Sequence, residues 1–370
     1  MNCMIPISKP WIDEEEVSRV IRQLNSGALT YSDTESQGVI KEFEKELERF
    51  LNVKNVVTVN SGTSAILASF MAFGVGPGDE VILQSYSFQA AANMVMLLGA
   101  KPIFVDIELD NYGISVDDLK KKITSKTKLI IITHLYGYPS KIKEINEIAN
   151  QKSILIMEDC AQALGSMFDN KYLGTIGFNG CFSFYPSKLI ATGEGGCIST
   201  NQDEFADKIK MIRNHGILRN SETERIGLNL RLPSLLSVIG LAQMKKIDKI
   251  LKARQEIAKY ISYEIKELPL IYPKETKDTV FNWNYYTVRS KTINRNEIIS
   301  KLNKRGIQAR AYYSKPIHEM KLYEREIYSD TRLPNTEEAS RTAFSLPIYP
   351  DLKMEQVKEI NHALSEIFNK

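Results

Sequence analysis

A chain of 370 residues, 43% hydrophobic and 25% charged, has enough apolar material to bury a full core, and its length allows about two domains at roughly 150 residues each. Its 48 Lys plus Arg stand against 45 Asp plus Glu with the signs interspersed, a net charge of +3 that gives no basic groove for a nucleic acid. With no apolar run of about 18 residues and no charged leader before an apolar stretch, the expectation is a cytoplasmic protein that neither spans a membrane nor is exported.

In chain order, DEEEVSRVIRQLNSG predicts a helix with acids at its start and Gly27 at its stop, and a second helix runs from about Val39 to Leu51 with Phe43, Leu47 and Phe50 on one stripe. VVTVNSGTSAILASFMAFG passes from a strand through Ser61 and Gly62 into an apolar helix, with Ser61 or Thr63 as its cap. Short apolar runs then recur at 80–83, 101–105, 129–135, 154–157, 180–184 and 195–199. Helices fit between them, among them the Lys-rich DDLKKKITSKTK, which reads as the solvated end of a helix with a turn behind it. This is the spacing of βα units, so an open, mostly parallel sheet covered by helices is predicted. A helix over about 234–266 leaves that unit, and WNYYTVRS, a helix at 296–305, GIQARAY and a last helix at 354–368 make a smaller α+β unit. The predicted division is 1–245 for the large domain and 246–370 for the small one.

Ligands of such sheets lie at the carboxyl ends of the strands, which groups Thr63, Phe88, Asp159 and Lys188. Asp159 ends an apolar strand and is costly there unless it meets a cation or a donor. Lys188 stands between the aromatic run 182–185 and a loop with Gly193, Gly195 and Gly196. An acid for a pyridinium nitrogen, an amine for a covalent link and SGTSA at a helix start for a phosphate together fit pyridoxal phosphate. Read singly, Asp159 is equally a cap or an ion-pair partner, Lys188 a surface amine and SGT a plain helix cap. The four cysteines, Cys3, Cys160, Cys181 and Cys197, form no CxxC pair, and three lie in apolar runs where a reduced, buried thiol is usual. His134, His215 and His318 show no metal-ligand spacing, so no metal is expected.

Over nearly its whole length the chain resembles the DegT/DnrJ/EryC1/StrS family of pyridoxal-phosphate-dependent sugar aminotransferases. The resemblance is carried by NSGTSA (60–65), SYSFQA (85–90), HLYG (134–137), EDCAQALG (158–165), SFYPSK (183–188), TGEGG (192–196), RNHG (213–216), GLNLR (227–231), PIH (316–318), LPNTEEA and SLPIYP. It implies the aspartate aminotransferase-like fold type I, with a mostly parallel sheet in the large domain and a small C-terminal α+β domain. It also implies a homodimer with shared active sites, and transfer of the amino group of L-glutamate to a nucleotide-linked keto sugar, a 4-keto-6-deoxyhexose.

By the same resemblance, Lys188 matches the lysine that carries the cofactor and moves the proton, Asp159 the partner of the ring nitrogen, Gln162 the side chain beside the ring oxygen, and Phe88 the aromatic stacked on the ring. Gly62, Thr63 and Ser183 match phosphate ligands, and Asn229 the residue that reaches the phosphate from the neighbouring subunit. Thr30, His215, Arg231 and His318 are assigned to the sugar pocket, while His134 is read either as a site residue or as a hydrogen-bonded packing residue. Two departures stand out: Gln84 and Ser85 precede Phe88 where the family often has proline, and the segment GALTYSDTESQG (27–38), which borders the acceptor in relatives, is long and polar. A dehydratase branch with histidine at the lysine position and a non-catalytic regulatory dimer are the alternatives, and Lys188 argues against the first.

Overall fold

The structure, a computed structural model, describes residues 4–30, 34–217, 222–324 and 331–368, the side chains of 34–37 and 324 excepted. Cys3 and residues 31–33 of the polar acceptor-bordering segment lie outside the described residues. Helix α1 (Glu14–Ser26) begins with reciprocal capping between Asp13 and Glu16 and closes at Gly27, whose φ of 71° is open to glycine at little cost. Its buried side chains are the polar Glu16 and Gln23, whereas Val17, Ile21 and Leu24 are about half exposed.

After α2 (Thr34–Leu51) the chain runs β1 (Asn55–Val59), α3 (Gly62–Phe73), β2 (Glu80–Gln84), α4 (Ala90–Leu97), β3 (Lys101–Val105), α5 (Val116–Lys122), β4 (Thr127–Thr133), α6 (Ile142–Gln151) and β5 (Leu155–Asp159). Two short strands, β6 (Met167–Phe168) and β7 (Lys171–Tyr172), precede β8 (Asn179–Ser183), β9 (Gly196–Thr200), α7 (Asp203–Arg213) and α8 (Ser234–Lys245). Seven strands form one sheet in the order β1-β9-β8-β5-β4-β2-β3, in which β9 alone runs against the others. The strands are apolar on both faces because both are covered: Leu83, Ile131 and Met157 enter one core, and Ile82, Ile130 and Ile156 the other.

That topology brings the carboxyl ends of β1, β2, β4, β5 and β8 to one edge. The run expected to continue to Leu135 leaves the sheet at Thr133, because Tyr136 takes a left-handed φ of 62° and the chain turns over itself.

The second unit follows as α9 (Ile247–Glu264), β10 (Leu270–Ile271), β11 (Thr279–Val280), β12 (Tyr286–Ser290), α10 (Arg295–Lys304), α11 (Lys321–Glu324), α12 (Pro334–Thr342), β13 (Ala343–Leu346) and α13 (Met354–Phe368). Strands β10, β12 and β13 form a small antiparallel sheet, while β11 returns to pair with β6. The single helix expected over 234–266 breaks at Lys246, whose ammonium sits between Asp13 (2.8 Å) and Glu16 (2.7 Å). The leading residues, grouped by sequence with the first unit, ladder with the second: Ile5 N–H donates to Gly306 O at 2.7 Å, and Gln308 N–H to Ile5 O at 2.9 Å.

One buried ion pair joins three elements under the sheet edge. Glu44 of α2 accepts from Thr58 N–H (2.8 Å), Thr58 Oγ1 (2.9 Å) and Arg213 Nη1 (2.6 Å), and Arg213 is the last residue of α7. Removing one partner of a buried pair leaves a charge with no compensation. Glu44→Ala is therefore expected to lower the unfolding free energy by about 3 kcal/mol, read from urea denaturation. A loss below about 1 kcal/mol would mean that water already screens the pair.

Candidate active site

The first turn of α3 is prepared for an anion. Ser61 Oγ caps it by accepting from Ser64 N–H at 3.0 Å, and Ser64 Oγ donates to Asn60 Oδ1 at 2.6 Å. The amides of Gly62 and Thr63 have no acceptor among the described residues, as expected for a first helical turn. Gly62 lies against β8, where a Cβ would come within 2.8 Å of Ser183 Cβ and 3.3 Å of its Oγ. The bare backbone thus leaves room for the Ser183 hydroxyl beside two free N–H groups and the exposed Thr63. This donor set, at the positive end of a helix, fits a phosphate group.

Strand β5 ends in two acids with opposite fates. Glu158 is fully buried and accepts from Gly174 N–H (2.8 Å), Ile176 N–H (2.8 Å), Gly177 N–H (2.7 Å) and His134 Nε2 (3.0 Å). Because His134 Nδ1 accepts from Ser140 N–H at 3.1 Å, its proton is on Nε2, facing Glu158. His134 is thus a packing residue. Cys160 also lies beside this pair, but Glu158 is saturated by donors and burial holds the Cys160 thiol well above its usual value, which is the chemistry of a closed packing cluster.

Asp159 is 8% exposed, and its Oδ1 accepts from Ala161 N–H at 3.0 Å. Burial raises its pKa above the usual 3.8, against the opposing influences of the Ala161 N–H, Lys188 and the Thr133 hydroxyl. A buried carboxylate with so few donors fits a cationic partner such as a protonated ring nitrogen.

Lys188 follows β8 in a tight turn, its N–H donating to Tyr185 O at 2.8 Å, and its side chain is half-buried. Its ammonium lies 5.9 Å from the centre of the Tyr285 ring, and Ser187 Oγ is 2.8 Å from the Tyr285 hydroxyl. Gln162, 7% exposed, has its amide orientation fixed: Oε1 accepts from Tyr136 N–H at 2.7 Å and Nε2 donates to Tyr313 OH at 2.6 Å. Phe88, after β2, is 56% exposed, a high figure for a phenyl ring at a strand end. Phosphate donors, acid, lysine and amide therefore share the carboxyl edge, and the set fits pyridoxal phosphate.

The remaining expected residues are placed differently. Asn214 and Asn229 pair in a ribbon in which Leu228 N–H donates to Ile212 O (2.8 Å) and Asn60 N–H to Leu230 O (2.9 Å), which ties the ribbon to the start of α3. Asn229 itself is exposed, as is His215 at a φ of 57°, while Arg231 Nη1 donates to Asn214 Oδ1 at 2.8 Å. Thr30 is exposed in the bend beyond α1. His318 is turned inward, 3% exposed, its Nδ1 2.7 Å from Ser85 Oγ, so it sits under the segment that leads to Phe88. Sequence reasoning missed Tyr136, Tyr285 and Tyr313, although the paired tyrosines in WNYYTVRS and ARAYY were visible as a signal.

A model of the DegT/DnrJ/EryC1/StrS aminotransferase family matches residues 10–365. The chain is 32% identical over 372 residues to GDP-perosamine synthase of Vibrio cholerae, covering 99% of this chain and 100% of that protein. It is 32% identical over 373 residues to UDP-4-amino-4,6-dideoxy-N-acetyl-beta-L-altrosamine transaminase of Helicobacter pylori, covering 98% of this chain and 97% of that one. Among solved structures, NtdA from Bacillus subtilis with bound cofactor PMP superposes with a TM-score of 0.88 at 30% identity, covering 97% of this chain and 83% of that one.

The raised pKa of Asp159 has a stability consequence. A carboxyl with a raised folded-state value contributes fully below its unfolded value, and that contribution is lost as pH rises through the folded one. In the cofactor-free protein, Asp159→Asn should therefore melt higher than the wild type at pH 7, with the gap closing as the pH falls towards 4. Equal melting temperatures at pH 7 would show that the carboxylate is already compensated.

Proposed function

The chain belongs to the DegT/DnrJ/EryC1/StrS aminotransferase family, with pyridoxal 5′-phosphate as its cofactor, and on that premise we propose that it transfers the amino group of L-glutamate to a nucleotide-linked 4-keto-6-deoxyhexose in a dimer with shared sites. The observation that carries the reading is Lys188, half-buried after β8, within electrostatic reach of the buried Asp159 at the end of β5. The Helicobacter pylori relative's name, a 4-amino-4,6-dideoxy sugar transaminase, supports the choice of carbon and of a 6-deoxy ring.

The cofactor, when bound, supplies an electron sink that lets an amino group leave one substrate and be delivered to the carbonyl of the next. Gly62, Thr63 and Ser183 would hold its phosphate, Asp159 its ring nitrogen, Gln162 its ring oxygen and Phe88 a ring face. Asp159, held by Ala161 N–H, keeps a negative charge where a positive one must persist. Lys188 would hold the cofactor covalently, and in the glutamate half-reaction its Nζ would take the proton from the amino-bearing carbon and pass it to the cofactor. In the sugar half-reaction the same Nζ would take a proton back from the cofactor and give it to the sugar carbon that becomes aminated, so one atom acts as base and acid in each half. His215, Arg231, His318 and Thr30 remain assigned to the sugar side, His318 through the loop it supports.

The dimer reading rests on surface chemistry. Ile226 is 81% exposed and Leu228 40% exposed beside the exposed Asn229, and α1 leaves Val17, Ile21 and Leu24 open on one side. A second copy covering these surfaces would bring its Asn229 to the phosphate cradle.

Incubated with glutamate and a panel of nucleotide keto sugars, the protein is expected to yield 2-oxoglutarate and a 4-amino product, identified by mass and proton couplings. Amination at another ring carbon would overturn the acceptor assignment. For the shared site, Lys188→Ala and Asn229→Ala, each nearly inactive, should regain activity when their subunits exchange, because a mixed dimer has one site with neither defect. No recovery after exchange verified by mass would place Asn229 at its own subunit's cofactor.

A further inference from the structure

Tyr285 reaches the lysine turn from the second unit, and it is held from several sides. It is 3% exposed; its N–H donates to Tyr136 O at 3.3 Å, and its carbonyl accepts from Tyr138 OH at 2.9 Å. Its ring lies 4.2 Å from that of Tyr312 and meets Tyr136 edge-on at 6.1 Å. So fixed, it presents a hydroxyl 2.8 Å from Ser187 Oγ and a ring centre 5.9 Å from Lys188 Nζ.

We propose that Tyr285 is a positioning residue for Lys188: its hydroxyl tethers the turn through Ser187, and its ring holds the cationic state of the lysine nitrogen. The proposal rests on the assignment of Lys188 made above. Asp159 from β5 and Tyr285 are titratable groups within electrostatic reach of Nζ, and Tyr312, within hydrogen-bonding reach of Tyr285, and Tyr313 neighbour Tyr285 in turn. A π face attracts a cation and not a neutral amine, so it adds to the Asp159 charge in the same direction. The hydroxyl contact acts on geometry instead. A lysine that must serve as base and acid in each half-reaction needs its nitrogen held over the reacting carbons, and a turn restrained on one side only by its own backbone would drift.

The two contributions separate by substitution in the full-length, cofactor-loaded protein. Tyr285→Leu removes ring and hydroxyl, Tyr285→Phe removes the hydroxyl alone, and Ser187→Ala removes the other end of the tether. Read as the pH dependence of the bound cofactor's visible absorbance, the Tyr285→Leu midpoint should fall by about 0.5 pH unit, since loss of the ring disfavours the charged nitrogen. Tyr285→Phe and Ser187→Ala should keep the midpoint within about 0.2 unit while kcat falls about fivefold, with KM for glutamate unchanged, as expected for one lost hydrogen bond.

Borohydride trapping of the wild type, with the cofactor mass mapped to Lys188, checks the underlying assignment separately. If trapping succeeds there and Tyr285→Leu titrates like the wild type, Tyr285 is a packing residue and the ring's role is overturned. Should Tyr285→Leu fail to fold, the other two variants decide on the tether: a wild-type kcat in both removes it.

Discussion

A carboxylate buried at the end of a parallel strand must be balanced by something positive, and the rest of this structure is arranged around one that its own chain balances only in part. Residues 158 and 159 are consecutive on β5, so their side chains leave opposite faces of the sheet. Glu158 enters a closed set of donors, the backbone amides of Gly174, Ile176 and Gly177 and the Nε2 of His134, and it fixes the segment that leads into β8. Asp159 points the other way, with Ala161 N–H on one oxygen and its pKa raised by burial. The first acid builds the strand edge, and the second is left for a ligand to complete.

The geometry around Asp159 follows from strand order. Because β5 lies between β4 and β8, with Thr133 opposite Asp159 on one side and Cys181 on the other, the loops after both neighbours must pass over the carboxylate. One of these loops carries Lys188. Strand β1 is separated from β8 by the lone antiparallel strand β9, and the start of α3 nevertheless lies against Ser183, with Gly196 of β9 packed beneath Ser61 and Gly62. Gly62 has to be a glycine for that approach, so the phosphate cradle is a consequence of close packing between helix and strand.

Much of this was legible in the chain, because βα spacing and strand-end residues are local patterns. The apolar runs, the helix starting at Gly62 and the grouping of Thr63, Asp159 and Lys188 on one edge all follow from short-range periodicity. What escaped were features decided by contacts distant in sequence. The helical pattern breaks at Lys246, whose ammonium meets Asp13 and Glu16 at the start of α1, and nothing within 234–266 signals those partners. Ile5 joins residues 306–308 across the whole chain length. His318 sits in a motif that reads as pocket lining, and its burial against Ser85 at the β2 end is likewise a contact distant in sequence.

The tyrosines show why the second unit belongs to the chemistry as well as to the fold. Each buried phenol must find a partner for its hydroxyl. Tyr86 and Tyr136 join their hydroxyls at 3.0 Å, Tyr138 donates to Tyr285 O at 2.9 Å, and Tyr313 accepts from Gln162 at 2.6 Å. The last two of these pairings cross from loops of the large sheet to the second unit, so the packing of the two units and the orientation of the Gln162 amide are fixed by the same bonds. An apolar interface of equal area would hold the units together but leave that amide free to rotate. Phenols impose direction on the contact, and the direction they impose ends at Gln162 and Ser187, one amide and one hydroxyl on either side of the space that Asp159 and Lys188 enclose.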